Sequence, residues 1–303
     1  TIFGFGNYVK TMVIPAFERF FPVVRIHELD PWQIGPSSGR PWSWDTSPSF
    51  GDEETADVVV IAGYHHHHVP LALEAIRRKA RAVIIEKPIA TTDSDLQALS
   101  EAMEASTVPV FCAFQRRYSP FNHFVRKDLA TQPGEPVSYL ATVFEVNLPP
   151  LHWYTWPNSR SRLTSNGCHW IDHFLFLNDF SPLADVRASS PDEYTTLATL
   201  SLENGATLVL TLTSRGSHRL GVRDHCELRA GSRTVVISDG SRYKAESSSR
   251  PLRYRRTHRY AAHEAMYRSF GERIVVGAPG DTVASVRSSG QGVLQAEEAL
   301  MSR

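Results

Sequence analysis

Cysteine is scarce in this chain. Cys112, Cys168 and Cys226 are the three among 303 residues, and no two stand in a C-x-x-C spacing. So sparse and odd a set excludes a disulfide framework and fits a reducing, cytoplasmic compartment. An excess of charge is also lacking, with 32 Lys and Arg against 32 Asp and Glu. That removes the broad basic field by which proteins hold nucleic acid or membrane surfaces, so a small-molecule substrate is the expected partner. No apolar run approaches the roughly 20 residues that a membrane helix needs. The run from Arg250 to Arg259 is a local basic exception, read as a solvated loop. What is present is ordinary for a globular protein, 42% hydrophobic and 21% charged, and the length suits two domains.

The first third alternates strands and helices, as a parallel sheet with right-handed crossovers requires. Thr1-Ile2-Phe3 is a short strand end, shorter than the usual five or six residues, which points to residues preceding Thr1. It runs into Gly4-Phe5-Gly6-Asn7-Tyr8-Val9, and Met12, Val13, Ala16, Phe17 and Phe20 then recur at helical spacing. Strand, glycine turn and helix together form the setting of a dinucleotide fingerprint. Gly4 permits the turn, and Gly6 lets the backbone approach a pyrophosphate drawn to the helix N-terminus. Val9 stands where the third glycine of G-x-G-x-x-G is expected. A second strand over 23–29 ends at Asp30, 24 positions beyond Gly6. An acid near that offset binds the adenosine ribose and repels a 2′-phosphate, favouring NAD over NADP.

Residues 31–50 read as an irregular loop with room for one short strand, and 56–62 as a buried parallel strand. A helix over 68–79, a strand over 82–85, a helix from Asp93 as its cap to 106, and a strand over 108–114 follow. Tyr64-His65-His66-His67-His68 sits at the carboxyl end of a strand, where ligands of such sheets bind. Adjacent histidines in a loop diverge and make poor tetrahedral ligands, so the stretch reads as cofactor-lining, with no metal. Glu86-Lys87-Pro88 then places two charges at the end of another buried strand, where packing residues would be apolar. A lysine there can bond a substrate hydroxyl and assist its deprotonation. The Lys-Pro bond fixes the backbone, and a cis form suits it.

With these pieces in order the chain resembles the glucose–fructose oxidoreductase and inositol dehydrogenase family, Gfo/Idh/MocA. Gly4-Phe5-Gly6 and Asp30 are similar to its nucleotide fingerprint, and Gly63, Tyr64, His65 and His68 to the loop after its fourth strand. Glu86-Lys87-Pro88-Ile89-Ala90 resembles its signature tripeptide. Arg116-Arg117-Tyr118-Ser119-Pro120 resembles the entry to its second domain, and Gly167-Cys168-His169-Trp170-Ile171-Asp172 its G-x-H-x-x-D helix. One departure matters: Ser165 stands four residues before the histidine, where many members carry aspartate. The resemblance implies an α/β protein, with a Rossmann parallel sheet over 1–115 and a catalytic α+β domain with an open, mainly antiparallel sheet over 116–303. The last helix would pack back on the first domain. A homodimer or homotetramer through the second sheet is implied too.

In the second domain Ser119-Pro120 opens a helix, residues 136–146 form a strand, and the aromatic loop 147–162, with Tyr154 and Trp156, is a substrate lid or a surface loop. A helix over 163–177 puts Ser165, His169 and Asp172 on one face, while His173 projects elsewhere. Thr195–Glu203 and Ala206–Ser214 flank Asn204-Gly205 as a hairpin, strands over 226–230 and 234–238 follow, and helices over 260–276 and 281–302 close the chain. The expected chemistry is hydride transfer between NAD(H) and a sugar, polyol, sugar nucleotide or related hydroxy or keto compound. His169 is the general acid/base, Lys87 polarises the reacting oxygen, and Asp172 binds a hydroxyl or orients His169. Arg116, Tyr154, Trp156 and Asn166 line the substrate. Two alternatives stand beside it: an imine or enone reductase with altered proton delivery, and a non-catalytic NAD-binding sensor.

Overall fold

The computed structural model describes residues 1–34, 39–55 and 57–302. It divides into two compact units, Thr1–Phe114 with Met266–Gly290, and Gln115–Ala265 with Gln291–Arg303.

The first unit holds six strands: β1 Ile2–Phe3, β2 Arg25–His27, β3 Ser43–Asp45, β4 Val58–Ile61, β5 Ala82–Ile85 and β6 Val110–Cys112. All pair in parallel, in the order β3-β2-β1-β4-β5-β6. The order reverses between β1 and β4, and ligands of such sheets bind outside the carboxyl ends of the strands at that switch. Every residue of β4 (VVVI) and β5 (AVII) is buried, because a sheet covered on both faces leaves no position for a polar side chain. Four helices accompany the strands: α1 Ile14–Phe17, α2 Pro31–Ile34, α3 His68–Arg77 and α4 Asp93–Glu104.

Several boundaries differ from the sequence reading. The first helix regular in its bonding has four residues, preceded by a wide π-type turn over Val9–Val13. Pro15 has no N–H to give to the preceding turn, so the ladder is broken where regular spacing alone predicts continuity. The cap of α4 is Thr92, whose hydroxyl accepts the Asp95 N–H at 3.1 Å; Asp93 is the first helical residue. The loop over 31–50 contains both α2 and β3, with residues 35–38 outside the described residues. The strand predicted from 56 starts at Val58, and Ala56 also lies outside them.

The second unit contains α5 Asn122–Leu129, β7 Ser138–Phe144, α6 Cys168–Leu177 and seven further strands: β8 Leu183–Asp192, β9 Thr195–Leu202, β10 Thr207–Thr213, β11 Arg223–Ala230, β12 Arg233–Ser238, β13 Arg242–Ser247 and β14 Pro251–Arg256. Their order is β14-β13-β12-β11-β7-β10-β9-β8. The β7–β10 pair is parallel and the rest are antiparallel, so the sheet is mixed. Along β7, Tyr139, Ala141 and Val143 are buried while Leu140 and Phe144 are exposed, the alternation of a sheet covered on one face. Gly205 takes φ +87° in the predicted β9–β10 turn.

Here too the structure corrects details. The run from Arg250 to Arg259 is not a loop for most of its length: it forms β14, an edge strand whose arginines keep that edge from pairing further. Arg253 is its anchored member, 2.7 Å from Asp128. The helix after Ser119-Pro120 starts at Asn122, and Ser119 caps only the preceding turn, accepting the Phe121 N–H at 3.3 Å. The helix predicted over 163–177 is divided into a π-type turn, Leu163–Gly167, and α6. Helices α7 Ala261–Val275 and α8 Val283–Met301 close the chain, each divided by the boundary between the units. Among the described residues no helix is long and apolar enough to cross a membrane.

Candidate functional site

In the first unit the glycine turn is built for close approach. At Gly4 (φ +96°) a Cβ would stand 2.6 Å from the Ala62 carbonyl oxygen, so only glycine lets this turn lie against the end of β4. At Gly6 a Cβ would meet nothing within 4 Å, leaving open space before its backbone. Asn7 and Tyr8, exposed, begin the helical segment, while Phe5 is buried against Trp44. Open space beside glycine backbone at a helix start fits the pyrophosphate of a dinucleotide.

The acid expected at Asp30 is turned into its own loop. Its carboxylate accepts the Trp32 N–H at 3.0 Å and the Gln33 amide at 3.4 Å, capping α2. Glu28, which directly follows β2, reaches the glycine turn instead. Its carboxylate accepts the Phe5 N–H at 2.5 Å and the Asp30 N–H at 2.9 Å. Glu28 is absent from the sequence reading, although at 22 positions beyond Gly6 it stands nearer the usual offset of about 20 than Asp30 does. Burial, together with the charges of Glu28 and Asp30, raises the Tyr64 hydroxyl above its ordinary pKa, which places the loop after β4 beside the end of β2. Gly63 lies in the same loop, 3.8 Å in Cβ terms from the Phe3 carbonyl.

His65 and His68 are both buried. His68 Nδ1 lies 2.7 Å from the Pro88 carbonyl and Nε2 lies 3.2 Å from that of Gly63. Burial lowers the His68 pKa to about 4, so the ring is neutral and its one N–H belongs to the shorter contact. His68 thus ties the start of α3 to the Glu86-Lys87-Pro88 segment, whose Lys87–Pro88 bond is cis. Glu86 is buried and accepts a hydrogen bond from the Tyr267 hydroxyl, which in turn meets the Tyr8 hydroxyl at 2.8 Å. Desolvation pushes the Glu86 carboxyl up to about 7, against the opposing pull of Tyr267 and Lys87. Lys87 itself is half-buried. Among the described residues no group of three His, Cys, Asp or Glu side chains could hold a metal ion.

In the second unit Arg116, Asn166 and His169 share one cavity of about 410 Å³. Trp170, Asp224 and His263 also line it. The Arg116 guanidinium lies 4.2 Å from the Trp170 ring centre and 2.6 Å from Asp224. The Asn166 amide donates to Glu145, just beyond β7, at 2.5 Å. His173, expected to project elsewhere, lines the same cavity. Its Nε2 faces the Asn122 side-chain oxygen at 3.1 Å and its Nδ1 the Tyr139 hydroxyl at 3.1 Å. Asn122 uses its amide nitrogen on the Arg116 and Arg117 carbonyls, so His173 must donate from Nε2 and accept at Nδ1. Burial and the Arg116 charge lower its pKa to about 3.

Asp172 is fully buried and does not line this cavity. Its carboxylate accepts both Nε and Nη2 of Arg117, at 3.0 and 2.6 Å, a two-pronged pair that locks α6 to the turn Gln115–Tyr118. Tyr154 and Trp156 sit in the loop before α6 and do not line the cavity either. That loop is fixed at its far end, where the Ser161 N–H and the Thr164 hydroxyl donate to Glu297 of α8 at 3.0 and 2.9 Å. Ser165 is buried within the π-type turn that precedes α6. Glu145, Arg223, Asp224, Arg259 and His263 escaped sequence reasoning, since strand ends far apart in the chain bring them together.

A doubly wound parallel sheet with this glycine turn defines a Rossmann nucleotide-binding unit, joined here to a half-covered mixed sheet. Residues 43–114 match the Oxidoreductase family, NAD-binding Rossmann fold. A curated relative designated an oxidoreductase, YteT of Bacillus subtilis (strain 168), is 26% identical over 135 residues. That match spans 41% of this chain and 30% of the relative, under a third of its length. Among solved structures, UDP-N-acetylglucosamine 3-dehydrogenase GnnA from Acidithiobacillus ferrooxidans superposes with TM-score 0.81 at 16% identity, over 99% of this chain and 97% of that one. Levoglucosan dehydrogenase in complex with NADH and levoglucosan gives 0.79 at 18%, over 99% and 95%. An Agrobacterium radiobacter oxidoreductase in complex with NAD+, L-tartaric acid and magnesium gives 0.75 at 16%, over 99% and 95%. At such identities these likenesses speak for the fold. The match of residues 43–114 agrees with the resemblance to the Gfo/Idh/MocA oxidoreductases that the motifs carry.

Proposed function

We propose that this protein is an NAD(H)-dependent oxidoreductase acting on a CH–OH group, or the corresponding carbonyl, of a sugar, polyol, sugar nucleotide or related compound. The observation that carries the reading is the cavity in which His169, Asn166 and Arg116 converge, on a chain that also holds Lys87 at the end of a Rossmann strand. When bound, NAD(H) supplies the hydride acceptor or donor. Glu28, with its carboxylate on the glycine turn, and Asp30 beside it oppose a 2′-phosphate, so NAD is preferred to NADP.

In this reading the His169 imidazole takes or returns the hydroxyl proton. The Lys87 ammonium hydrogen-bonds the reacting oxygen and stabilises the charge that grows on it. Asn166 and Arg116 donate to neighbouring hydroxyls and fix the ring. Asp172 is a positioning residue: bound to Arg117, it holds the helix that presents His169. Tyr154 and Trp156 retain a role in the aromatic loop that precedes that helix. Two relatives act or were captured on sugars, which supports the substrate class. Cytoplasmic residence, the division at about residue 115, and a homodimer or homotetramer through the open face of the second sheet belong to the same proposal.

The test is a screen of hydroxy compounds with NAD+, followed by nicotinamide absorbance. Turnover with a sugar or polyol, cut by three orders of magnitude or more in Lys87→Ala and His169→Ala and retained in Tyr154→Phe, supports the assignment. Turnover that survives both changes refutes these roles.

A further inference from the structure

Three arginines line the second-unit cavity, and a fourth, Arg242, lines the cavity beside it. Arg116, Arg223 and Arg259 line it, as do Asp224 and Asp239. Arg116 is matched by Asp224 at 2.6 Å. Arg223 and Arg242 share the single carboxylate of Asp239, at 3.3 and 3.0 Å. Arg259 bonds the Val222 carbonyl, and among the described residues no carboxylate lies within 4 Å of its guanidinium. Within the first cavity three guanidinium groups meet two carboxylates, and Arg259 is the one left without a carboxylate.

Two more features aim at the same place. Ala262 and His263, in the first turn of the 15-residue helix α7, and Tyr260 just before it line the cavity, and the positive end of the helix dipole favours an anion there. A second cavity of about 680 Å³ shares Arg223, Asp224 and Asp239 with the first and adds Arg242 and Arg256. The basic run thus delivers Arg256 to one cavity and Arg259 to the other. A neutral polyol needs no such surplus, since hydroxyl groups are met by amides and carbonyls.

We propose that the cavity beside His169 carries a subsite for a phosphoryl group of the substrate, held by Arg259 and the first turn of α7. The inference rests on the oxidoreductase reading and narrows it, because the sugar or polyol then bears a phosphate. A doubly charged, tetrahedral oxyanion suits the unmatched fork of Arg259 and the positive end of α7 together better than a singly charged carboxylate does.

The subsite is tested by calorimetric titration of the full chain, in saturating NAD+ and low salt, with glucose 6-phosphate, glucuronate and glucose as probes. Glucose 6-phosphate is expected to bind about tenfold or more tightly than glucose, and Arg259→Ala to abolish that preference. Arg255→Ala, which removes an exposed arginine of the same basic run that lines neither cavity, is expected to keep it. Equal binding of the three probes, or a preference that survives Arg259→Ala, overturns the proposal. A preference for glucuronate alone overturns the phosphoryl assignment. Titration with NADH in the same preparation reads the underlying oxidoreductase proposal separately, so the failure of one is distinguishable from that of the other.

Discussion

Glu86 offers a quantitative check on the buried hydrogen-bond chain of the first unit. Its carboxyl is 6% exposed and is held near pKa 7 by desolvation, against the pull of Tyr267 and Lys87. In the unfolded chain the same group titrates near 4.5. The folded value is raised, so below 4.5 Glu86 imposes no ionisation penalty, and stability is lost as pH rises from there through 7. The difference corresponds to about 3 kcal/mol at full ionisation, of the order expected for such a shift. Glu86→Gln keeps an acceptor for Tyr267 and cannot ionise. Relative to wild type, the variant should therefore gain about 3 kcal/mol in stability between pH 4.5 and pH 8.5. The assay is denaturant unfolding of both proteins across that window, comparing midpoints at constant slope. Parallel stability curves for the two proteins would refute the reasoning.

Other expectations follow from the same geometry. His68 and His173 are depressed to about 4 and about 3, so the stability they contribute is present above pH 6.5 and is lost as pH falls through those values; His173→Gln should flatten the acid limb of the unfolding curve. Gly4→Ala forces a Cβ to 2.6 Å from the Ala62 carbonyl at a positive φ, and should cost about 2 kcal/mol or more in thermal stability and weaken NADH binding. Asp172→Asn leaves Arg117 buried against a neutral amide and should lower the melting temperature along with kcat, whereas a purely catalytic group would lower kcat alone.

The Rossmann half was legible because its signals are local. Continuous apolar runs gave β4 and β5 within two residues, and the glycine turn stood between a strand and a helix. The second sheet was legible where a turn carried chemistry, as at Asn204-Gly205, and illegible in β13 and β14, whose arginines mimic a solvated loop. The cap of α4 moved by one residue because the Thr92 hydroxyl took the bond expected of Asp93. The candidate site was half visible. Lys87, Asn166 and His169 stand in recognisable motifs, but the carboxylate on the glycine turn is Glu28, a choice settled by which side chain reaches Phe5 and not by spacing. The partners of the cavity, Asp224 and Arg259, are separated from Arg116 by more than a hundred positions, and only the sheet order brings them near.

Fluorescence titration of the purified protein with NADH and NADPH tests the central claim most directly. The account predicts saturable binding that favours NADH, weakened more by Glu28→Ala than by Asp30→Ala, since Glu28 alone reaches the glycine turn. Absence of saturable binding by either nucleotide would contradict the account at its base.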